Sequence, residues 1–257
     1  MKSKGFGRRV LDLLFPPRCQ GCGKLIDRDD GLCGACLAKY GDEQRESCPV
    51  CGRTARECSC GAAALGSSFI GNRRYCALTF YNEYNADSER ITEKLIFRLK
   101  RKNSSSLTDF FAREAAAEIM RLMQLSEERP EEWIITWPPR TPRAVLEYGY
   151  DQSEAVARRI SYYTGIPWKK MLVRTGGREQ KGLGAEEREA NVSTLALLRR
   201  KEADGKRFIL FDDVITTGAT VREAAEQLYG AGAEAVFPVC IAKTLLKEKT
   251  DDEGVFV

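Results

Sequence analysis

The sequence contains no histidine among its 257 residues. This absence excludes Ser-His-Asp triads, Cys-His nucleophile pairs and metal sites that require an imidazole ligand. There is also no apolar run near the ~18 residues that a membrane-spanning helix needs. Residues 1–15 have too short an apolar stretch, and no small-residue cleavage site, for a signal peptide. We therefore expect a cytoplasmic protein in which any soft-ligand metal site is built from cysteine.

The charges are nearly balanced, with 41 basic and 37 acidic residues and a formal net charge of +4. This balance does not by itself indicate a nucleic-acid partner, although basic clusters occur at 98–102, 140–143 and 199–201. The length predicts one medium domain together with a small one.

Eight of the ten cysteines lie within residues 19–60. Paired cysteines at this spacing form knuckles that direct two thiolates towards one cation, and most are followed by a glycine suited to the tight turn. Disulfides are the competing interpretation, but the lack of an export signal disfavours them. We expect one or two zinc ions, each held by four cysteines, with these ligands: Cys19, Cys22, Cys33, Cys36, Cys48, Cys51, Cys58 and Cys60.

The grouping of the knuckles is open at this point. Pairing in sequence order joins the first four cysteines in one site and the last four in another, whereas a crossed order joins the first knuckle with the third. The short Cys58-x-Cys60 spacing makes the second site irregular. The other two cysteines, Cys76 and Cys240, lie in apolar surroundings and are predicted to be buried and inert.

Residues 208–220 form the most informative stretch of the chain. Four large apolar residues, 208–211, predict a central strand of a parallel sheet that is covered on both faces. Two carboxylates, Asp212 and Asp213, follow, and a helix is predicted over 221–229. The loop between strand and helix therefore lies at the carboxyl edge of the sheet, where open α/β folds bind their ligands.

The chemistry of this loop suits a ribose 5-phosphate. Free backbone N–H groups at the helix entrance, with the positive end of the helix dipole, favour a phosphate. Asp212 and Asp213 repel phosphate but can accept hydrogen bonds from the vicinal hydroxyls of a ribose. The predicted phosphate-binding residues are Thr216, Thr217, Gly218, Ala219 and Thr220.

This stretch resembles the phosphoribosyl pyrophosphate (PRPP) signature of the type I phosphoribosyltransferases. The resemblance implies an α/β fold, with a parallel sheet flanked by helices, that binds PRPP together with Mg²⁺. An ordinary buried strand before an N-capped helix explains the apolar run, but it does not explain two adjacent acids before a Thr-Thr-Gly-Ala-Thr loop.

Two further segments are candidates for the same site. A strand predicted at 133–137 ends in Pro138, Pro139 and Arg140, a rigid turn whose arginine could hold a diphosphate; a solvent-exposed surface loop is the alternative. A glycine-rich loop at 175–184 is long for a compact domain and predicts either a mobile lid or a disordered segment. A lid over PRPP has a physical reason to exist, because an oxocarbenium-like transition state must be shielded from water. The lid residues are Gln180, Lys181, Arg188 and Asn191.

Regular structure is predicted elsewhere from apolar periodicity. The pattern indicates an amphipathic helix at 6–15, a strand at 75–81, a helix at 91–102, and a strand at 171–174. Residues 103–106 cap a long helix that continues to about Leu125, and Gly149-Tyr150-Asp151-Gln152 opens a helix to about Tyr163.

Taken together, these segments resemble the ComF family, in which a double zinc ribbon precedes a type I phosphoribosyltransferase domain. The resemblance is carried by Leu14-Phe15-Pro16-Pro17-Arg18-Cys19, the other cysteine pairs, Leu99-Lys100, Pro138-Pro139, Gly149-Tyr150-Asp151-Gln152, Gln180-x2-Leu183-x4-Arg188-x2-Asn191 and the Asp212-Asp213 signature. The chain departs from the family where Tyr150-Asp151 replaces the usual Phe-Asn.

The resemblance implies an amino-terminal helix at 1–16, a double zinc ribbon at 17–62, a phosphoribosyltransferase-like domain at 70–247 and a tail at 248–257. It also implies a role in natural competence, in which the protein handles incoming single-stranded DNA and interacts with other competence proteins. An active phosphoribosyltransferase of nucleotide metabolism, with an unidentified acceptor, is the alternative.

Overall fold

The computed structural model describes residues 16–27, 31–60, 70, 73–82, 89–174 and 194–244. The amphipathic helix predicted at 6–15, the lid residues Gln180, Lys181, Arg188 and Asn191, and the tail lie outside the described residues. Within the described ranges, no helix has both the length and the apolar character needed to cross a membrane.

A parallel sheet of four strands forms the centre of the larger domain. In chain order the six strands are β1 (Cys76–Tyr81), β2 (Trp133–Thr136), β3 (Leu172–Arg174), β4 (Leu195–Leu197), β5 (Arg207–Ile215) and β6 (Ala235–Thr244). The four-stranded sheet has the order β1-β6-β5-β2, and all three of its pairings are parallel. Strands β3 and β4 form a separate antiparallel pair.

Strand β5 occupies an inner position of the sheet, as its apolar run predicts. Phe208, Ile209, Leu210 and Phe211 are completely buried. Because successive side chains point to opposite faces, Ile209 and Phe211 belong to one apolar cluster while Phe208 and Leu210 belong to another. The prediction of a central strand covered on both faces is confirmed.

Helices cover the two faces of the sheet and define the ends of its strands. They are α1 (Gly34–Gln44), α2 (Ile91–Arg101), α3 (Ser105–Leu125), α4 (Pro142–Tyr148), α5 (Gln152–Thr164) and α6 (Ala219–Tyr229). The Ser104 side chain accepts a hydrogen bond from Leu107 N at the start of α3, and the Asp151 side chain accepts one from Glu154 N at the start of α5. The predicted cap of the long helix is thus confirmed.

Helix α1 lies between the cysteine knuckles and joins them to the larger domain through a buried carboxylate. Helix α2 has no side-chain cap from its own N-cap residue, Arg90. The carboxylate of Glu43 in α1 takes this place, accepting from Ile91 N at 2.5 Å and from Thr92 N at 2.9 Å. A carboxylate there satisfies helix N–H groups that would otherwise be unpaired and complements the helix dipole.

A second buried carboxylate joins the last cysteine segment to α3. Glu118 is 1% exposed and accepts hydrogen bonds from Arg56 at 3.2 Å and from Arg121 at 2.5 Å. Arg73 Nη1 lies 3.9 Å from the same carboxylate. Since Arg56 stands two residues before Cys58, this cluster fixes the position of the cysteine segment on the helical layer.

Candidate ligand site and metal centres

The acid pair and the two candidate phosphate loops meet at one edge of the sheet. Strands β5 and β2 are parallel neighbours, with Thr136 in register with Leu210. Their carboxyl ends therefore point the same way, which places the 138–140 turn beside Asp212, Asp213 and the 216–220 loop. The sequence-predicted site residues in the described part of the chain thus share this edge.

The two acids have different partners. Asp213 is 6% exposed; its Oδ2 accepts from Gln152 Nε2 at 2.9 Å and lies 3.5 Å from Lys100 Nζ. Asp212 Oδ1 accepts from the backbone N–H of Asp213 at 2.9 Å and from Ser153 Oγ at 3.4 Å. The amino-terminal turn of α5 therefore faces both carboxylates, and its positive dipole end suits them.

Burial beside a second carboxylate changes the ionisation of Asp212. Burial, and then the negative charge of Asp213, raise the pKa of Asp212 to about 8, while Asp213 N–H, Lys100 and Ser153 oppose this shift. Near neutral pH the pair therefore holds a proton on Asp212. A ligand that donates hydrogen bonds to both carboxylates favours their ionised form and would release this proton.

Sequence reasoning missed three contributors to the site. Lys100 appeared there as part of a basic cluster, and Gln152 and Ser153 as the start of a helix, without a role at the acid pair. Lys100, Gln152 and Ser153 are separated from their acid partners by 113, 61 and 59 positions in the sequence. Local patterns carry no signal for such distances, although Lys100 and Gln152 lie in motifs of the ComF resemblance.

The loop at 216–220, the candidate phosphate-binding segment, has a glycine in a left-handed conformation at the start of α6. Gly218 adopts φ 77°, a left-handed conformation that disfavours any residue with a Cβ, and it forms the N-cap of α6. Thr216 and Thr217 are exposed, and Thr217 Oγ1 accepts from Ala219 N at 3.4 Å. The loop is thus exposed at the amino-terminal end of α6, which follows the acid pair along the chain.

The 138–140 turn is held from two sides. Arg140 N donates to Asp151 Oδ2 at 2.8 Å, and Arg174 Nε donates to Pro139 O at 2.9 Å. The Arg140 guanidinium lies 4.8 Å from the ring centroid of Tyr148 and donates to Tyr150 O at 3.3 Å. This turn is therefore a rigid part of the sheet edge, with its arginine stacked on an aromatic ring.

The cysteines form two groups of four, in sequence order. One consists of Cys19, Cys22, Cys33 and Cys36, and the other of Cys48, Cys51, Cys58 and Cys60; within each group the sulfur atoms lie within 4.8 Å of one another. Tetrahedral zinc with Zn–S bonds of about 2.3 Å requires sulfur separations of ~3.8 Å. Cys22 Sγ and Cys33 Sγ are 3.7 Å apart, and Cys48 Sγ and Cys60 Sγ are 4.0 Å apart.

The first and third knuckles repeat one backbone design. Cys19 N donates to Lys24 O at 2.8 Å, and Cys48 N donates to Arg53 O at 2.7 Å. The glycine after each exposed cysteine, Gly23 or Gly52, has a positive φ, 77° and 68° respectively. Gly34 instead begins α1, so the second knuckle ends in a helix and not in a glycine turn.

Backbone donors prepare thiolates for metal binding. The backbone N–H groups of Gly21 and Cys33 donate to the sulfur of Cys19 at 3.3 and 3.2 Å. Burial raises the pKa of Cys19, but backbone donors that include these two outweigh burial and lower the pKa to about 6. At Cys48, burial is likewise outweighed by backbone donors, and the pKa falls to about 7. Thiolate is the metal-binding form of cysteine, so both groups fit structural zinc sites.

Comparison with known proteins finds sequences that are similar to most of this chain. The family profile "Double zinc ribbon domain" matches residues 10–77. "DNA utilization protein YhgH" of Salmonella typhimurium is 24% identical over 84% of this chain and 98% of its own length. "Competence protein F" of Haemophilus influenzae is 26% identical over 86% of this chain and 95% of its own length.

The chain resembles the ComF family over most of its length. The predicted fold class is also confirmed in its architecture: a parallel sheet with flanking helices accompanies a double zinc ribbon profile and two four-cysteine groups. Among solved structures, "Structure of the allosteric regulatory enzyme of purine biosynthesis" matches with a TM-score of 0.38 and 23% identity over 58% of this chain and 30% of that chain.

The three basic clusters have local partners in the ComF-like fold. Arg101 lies 4.2 Å from the ring centroid of Phe97, and Lys100 faces Asp213. Arg199 pairs with Glu202 at 3.0 Å, in the last of the three clusters. A nucleic-acid role for these residues stays a prediction.

Proposed function

We propose that the chain is a ComF-type protein that binds PRPP with Mg²⁺ at the carboxyl edge of its sheet. The observation that carries this proposal is the acid pair of β5 beside an open phosphate loop, with Gly218 in a left-handed conformation. Asp212 and Asp213 hold the ribose diol as acceptors. The loop Thr216, Thr217, Gly218, Ala219 and Thr220 holds the 5-phosphate.

The remaining groups complete the ligand's charge balance. Pro138, Pro139 and Arg140 contact the diphosphate, whose charge Mg²⁺ neutralises when it is bound with PRPP. Lys100 pairs with Asp213 at 3.5 Å and offsets the negative charge of the acids. The lid residues Gln180, Lys181, Arg188 and Asn191 close over the bound sugar, as the family resemblance implies.

The biological role that we propose is natural competence, in which the protein handles incoming single-stranded DNA in the cytoplasm together with other competence proteins. The names of its relatives, "DNA utilization protein YhgH" and "Competence protein F", support this role. Residues 98–102, 140–143 and 199–201 supply the basic groups that would follow a DNA backbone.

Phosphoribosyl transfer to an unidentified acceptor is the second candidate function, because the same acid pair and phosphate loop would orient PRPP for displacement of diphosphate at C1. A diphosphate-release assay with PRPP, Mg²⁺ and candidate acceptors (bases, ammonia and single-stranded DNA) separates the two. Release that depends on the acceptor supports the transferase, and its absence with all of them leaves ligand binding alone.

The ligand assignment is tested by titration calorimetry with PRPP and Mg²⁺. Asp212→Asn combined with Asp213→Asn should weaken binding at least about 100-fold, since two charge-assisted hydrogen-bonding groups worth ~1.5–3 kcal/mol each are lost. Asp42→Asn is the control, because it removes an exposed carboxylate that pairs only with Arg45. Unchanged affinity in the double variant, with circular dichroism reporting a folded protein, would refute the assignment.

A further inference from the structure

The second four-cysteine site has a buried lysine beside it. Lys243 lies near the carboxyl end of β6 and is 5% exposed. Its Nζ donates to the carbonyl oxygen of Cys60 and, at 2.7 Å, to the hydroxyl oxygen of Tyr75. Tyr75 in turn donates to the same Cys60 oxygen at 3.3 Å. The ammonium, the phenol and the backbone of a metal ligand thus form a closed triangle.

This ammonium lacks the partner that buried lysines usually have. No carboxylate among the described residues forms an ion pair with Lys243, and its other contact is the ring of Tyr75, whose centroid lies 4.9 Å from Nζ. Burial of an unpaired charge costs several kcal/mol. Among the described residues, the four-cysteine site that Lys243 contacts through Cys60 is therefore the candidate source of a compensating negative charge.

Four thiolates around one Zn²⁺ carry a net charge of −2 by formal count, four negative charges less two. Cys48 and Cys58 belong to the same buried apolar cluster as Tyr75, and Cys60 packs against it. The metal-loaded site therefore supplies the missing anion within a water-poor environment, where the attraction is strong. Two disulfides would be neutral and would leave Lys243 without a counter-charge.

The first four-cysteine site has a different cationic neighbour among the described residues. Arg98, which is half-buried, donates to the backbone oxygen of Gln20, between Cys19 and Cys22. The lysines that border the cavity beside this site, Lys24, Lys39 and Lys94, are exposed or half-buried, so water screens their charges. The two sites therefore differ in how deeply the neighbouring cation is buried.

Lys243 is also connected to the candidate ligand site by the pairing of β6 with β5. It is in register with Ile215 on β5, and the next residue along that strand is Thr216, the first of the phosphate loop. The β5–β6 pairing thus connects the backbone of Lys243 to the start of the loop.

We propose that Lys243 is the buried counter-charge of the second four-cysteine site, and that it couples metal occupancy of this site to the phosphate loop. The first part is independent of the ligand. The second part rests on the proposed PRPP function, and the two are measured separately.

The counter-charge is tested with the full chain by zinc competition against a chromophoric chelator. Lys243→Gln keeps a hydrogen-bond donor but removes the charge, whereas Lys243→Arg keeps the charge. Outer-shell substitutions typically cost 10–100-fold in metal affinity. Lys243→Gln should therefore release one of two zinc ions at about tenfold or more lower chelator concentration, while Lys243→Arg holds both close to the wild-type level.

Lys39→Gln is the matched control, because it removes an exposed lysine beside the first site, and it should hold both zinc ions like the wild type. Two results would overturn the counter-charge: wild-type affinity in Lys243→Gln, or equal zinc loss in Lys243→Gln and Lys243→Arg, which would assign the effect to packing. Should Lys243→Gln not fold, Tyr75→Phe removes the hydroxyl of the triangle, and it must then weaken one zinc ion selectively.

The coupling is tested in Lys243→Gln at two concentrations of free zinc, one that fills both sites and one that fills only the tighter site. PRPP with Mg²⁺ should bind about tenfold more weakly when the second site is empty and should recover in excess zinc, while the wild type binds equally in both conditions. Equal affinity of the variant in both conditions refutes the coupling. A wild type that does not bind PRPP at all refutes the proposed function, and the zinc competition still decides the role of Lys243.

Discussion

The acid pair should make the protein less stable as the pH rises, and Asp212→Asn should remove this effect. The folded-state pKa of Asp212 is raised from 3.8 to about 8 by burial and by Asp213. A carboxyl whose pKa is raised by folding binds more protons in the folded state between these two values. The free energy of unfolding therefore falls as the pH rises from about 4 to about 8.

The magnitude follows from the size of the shift. About four pKa units at ~1.4 kcal/mol each set an upper limit of ~6 kcal/mol between the two pH values. Asp212 is half-buried, so water screens part of the repulsion and we expect about 2–3 kcal/mol. For a chain of this length, that corresponds to a rise in Tm of ~5–10 °C for Asp212→Asn at pH 8.

The assay is thermal unfolding followed by circular dichroism from pH 5 to pH 8.5. The variant and the wild type should differ little at pH 5 and diverge progressively as the pH rises, the variant being the more stable. Asp42→Asn, which removes an exposed carboxylate, should follow the wild type throughout. A variant that is less stable than the wild type at pH 8, or a difference that does not depend on pH, would show that Asp212 is ionised in the folded ligand-free protein.

Three further outcomes are expected. Elemental analysis of the purified chain should give two zinc ions; one would mean that the irregular Cys58-x-Cys60 half is vestigial, and none would refute the metal centres. Glu118→Gln should lower the free energy of unfolding in urea by ~1.5–3 kcal/mol, because the charge-assisted hydrogen bonds that the partly exposed Arg56 and Arg121 donate to this buried carboxylate are lost, and a loss below ~0.5 kcal/mol would contradict this. Single-stranded DNA should bind with an affinity that falls as the salt concentration rises, as measured by filter binding. Replacing Lys100, Arg101 and Lys102 together should reduce the slope of log affinity against log salt concentration by ~2 units. A wild-type slope in that variant would show that these residues are not part of the interface.

The features that sequence predicted best are those encoded by neighbouring residues. The buried run at 208–211 identifies an inner strand because no polar residue interrupts it, and Ser104 identifies the start of α3 because a hydroxyl there accepts from the backbone. The structure groups the cysteines into two sets of four in sequence order. The spacing of the knuckles predicted two such sets but left their pairing open.

The remaining parts of the site depend on contacts between distant residues. Lys243 and Cys60 are 183 positions apart, and neither β6 nor its apolar neighbourhood indicates that a lysine there faces a cysteine carbonyl. Lys100 looked like a member of a solvated cluster because its neighbours are also basic; only the packing of α2 against the sheet brings it to Asp213. Side-chain charge is readable from sequence, but its partner is set by tertiary packing.

The carboxylate that caps α2 has a consequence for any attempt to study the larger domain in isolation. A fragment that begins at residue 70 lacks Glu43, and the N–H groups of Ile91 and Thr92 then have no acceptor from α1. The first turn of α2 would fray, and the helix would be held less firmly in place. Because α2 has eleven residues and its last turn carries Lys100, the position of Lys100 would change as well. The cysteine-bearing segment thus helps to position Lys100 beside the acid pair, so removing it should displace Lys100 from Asp213.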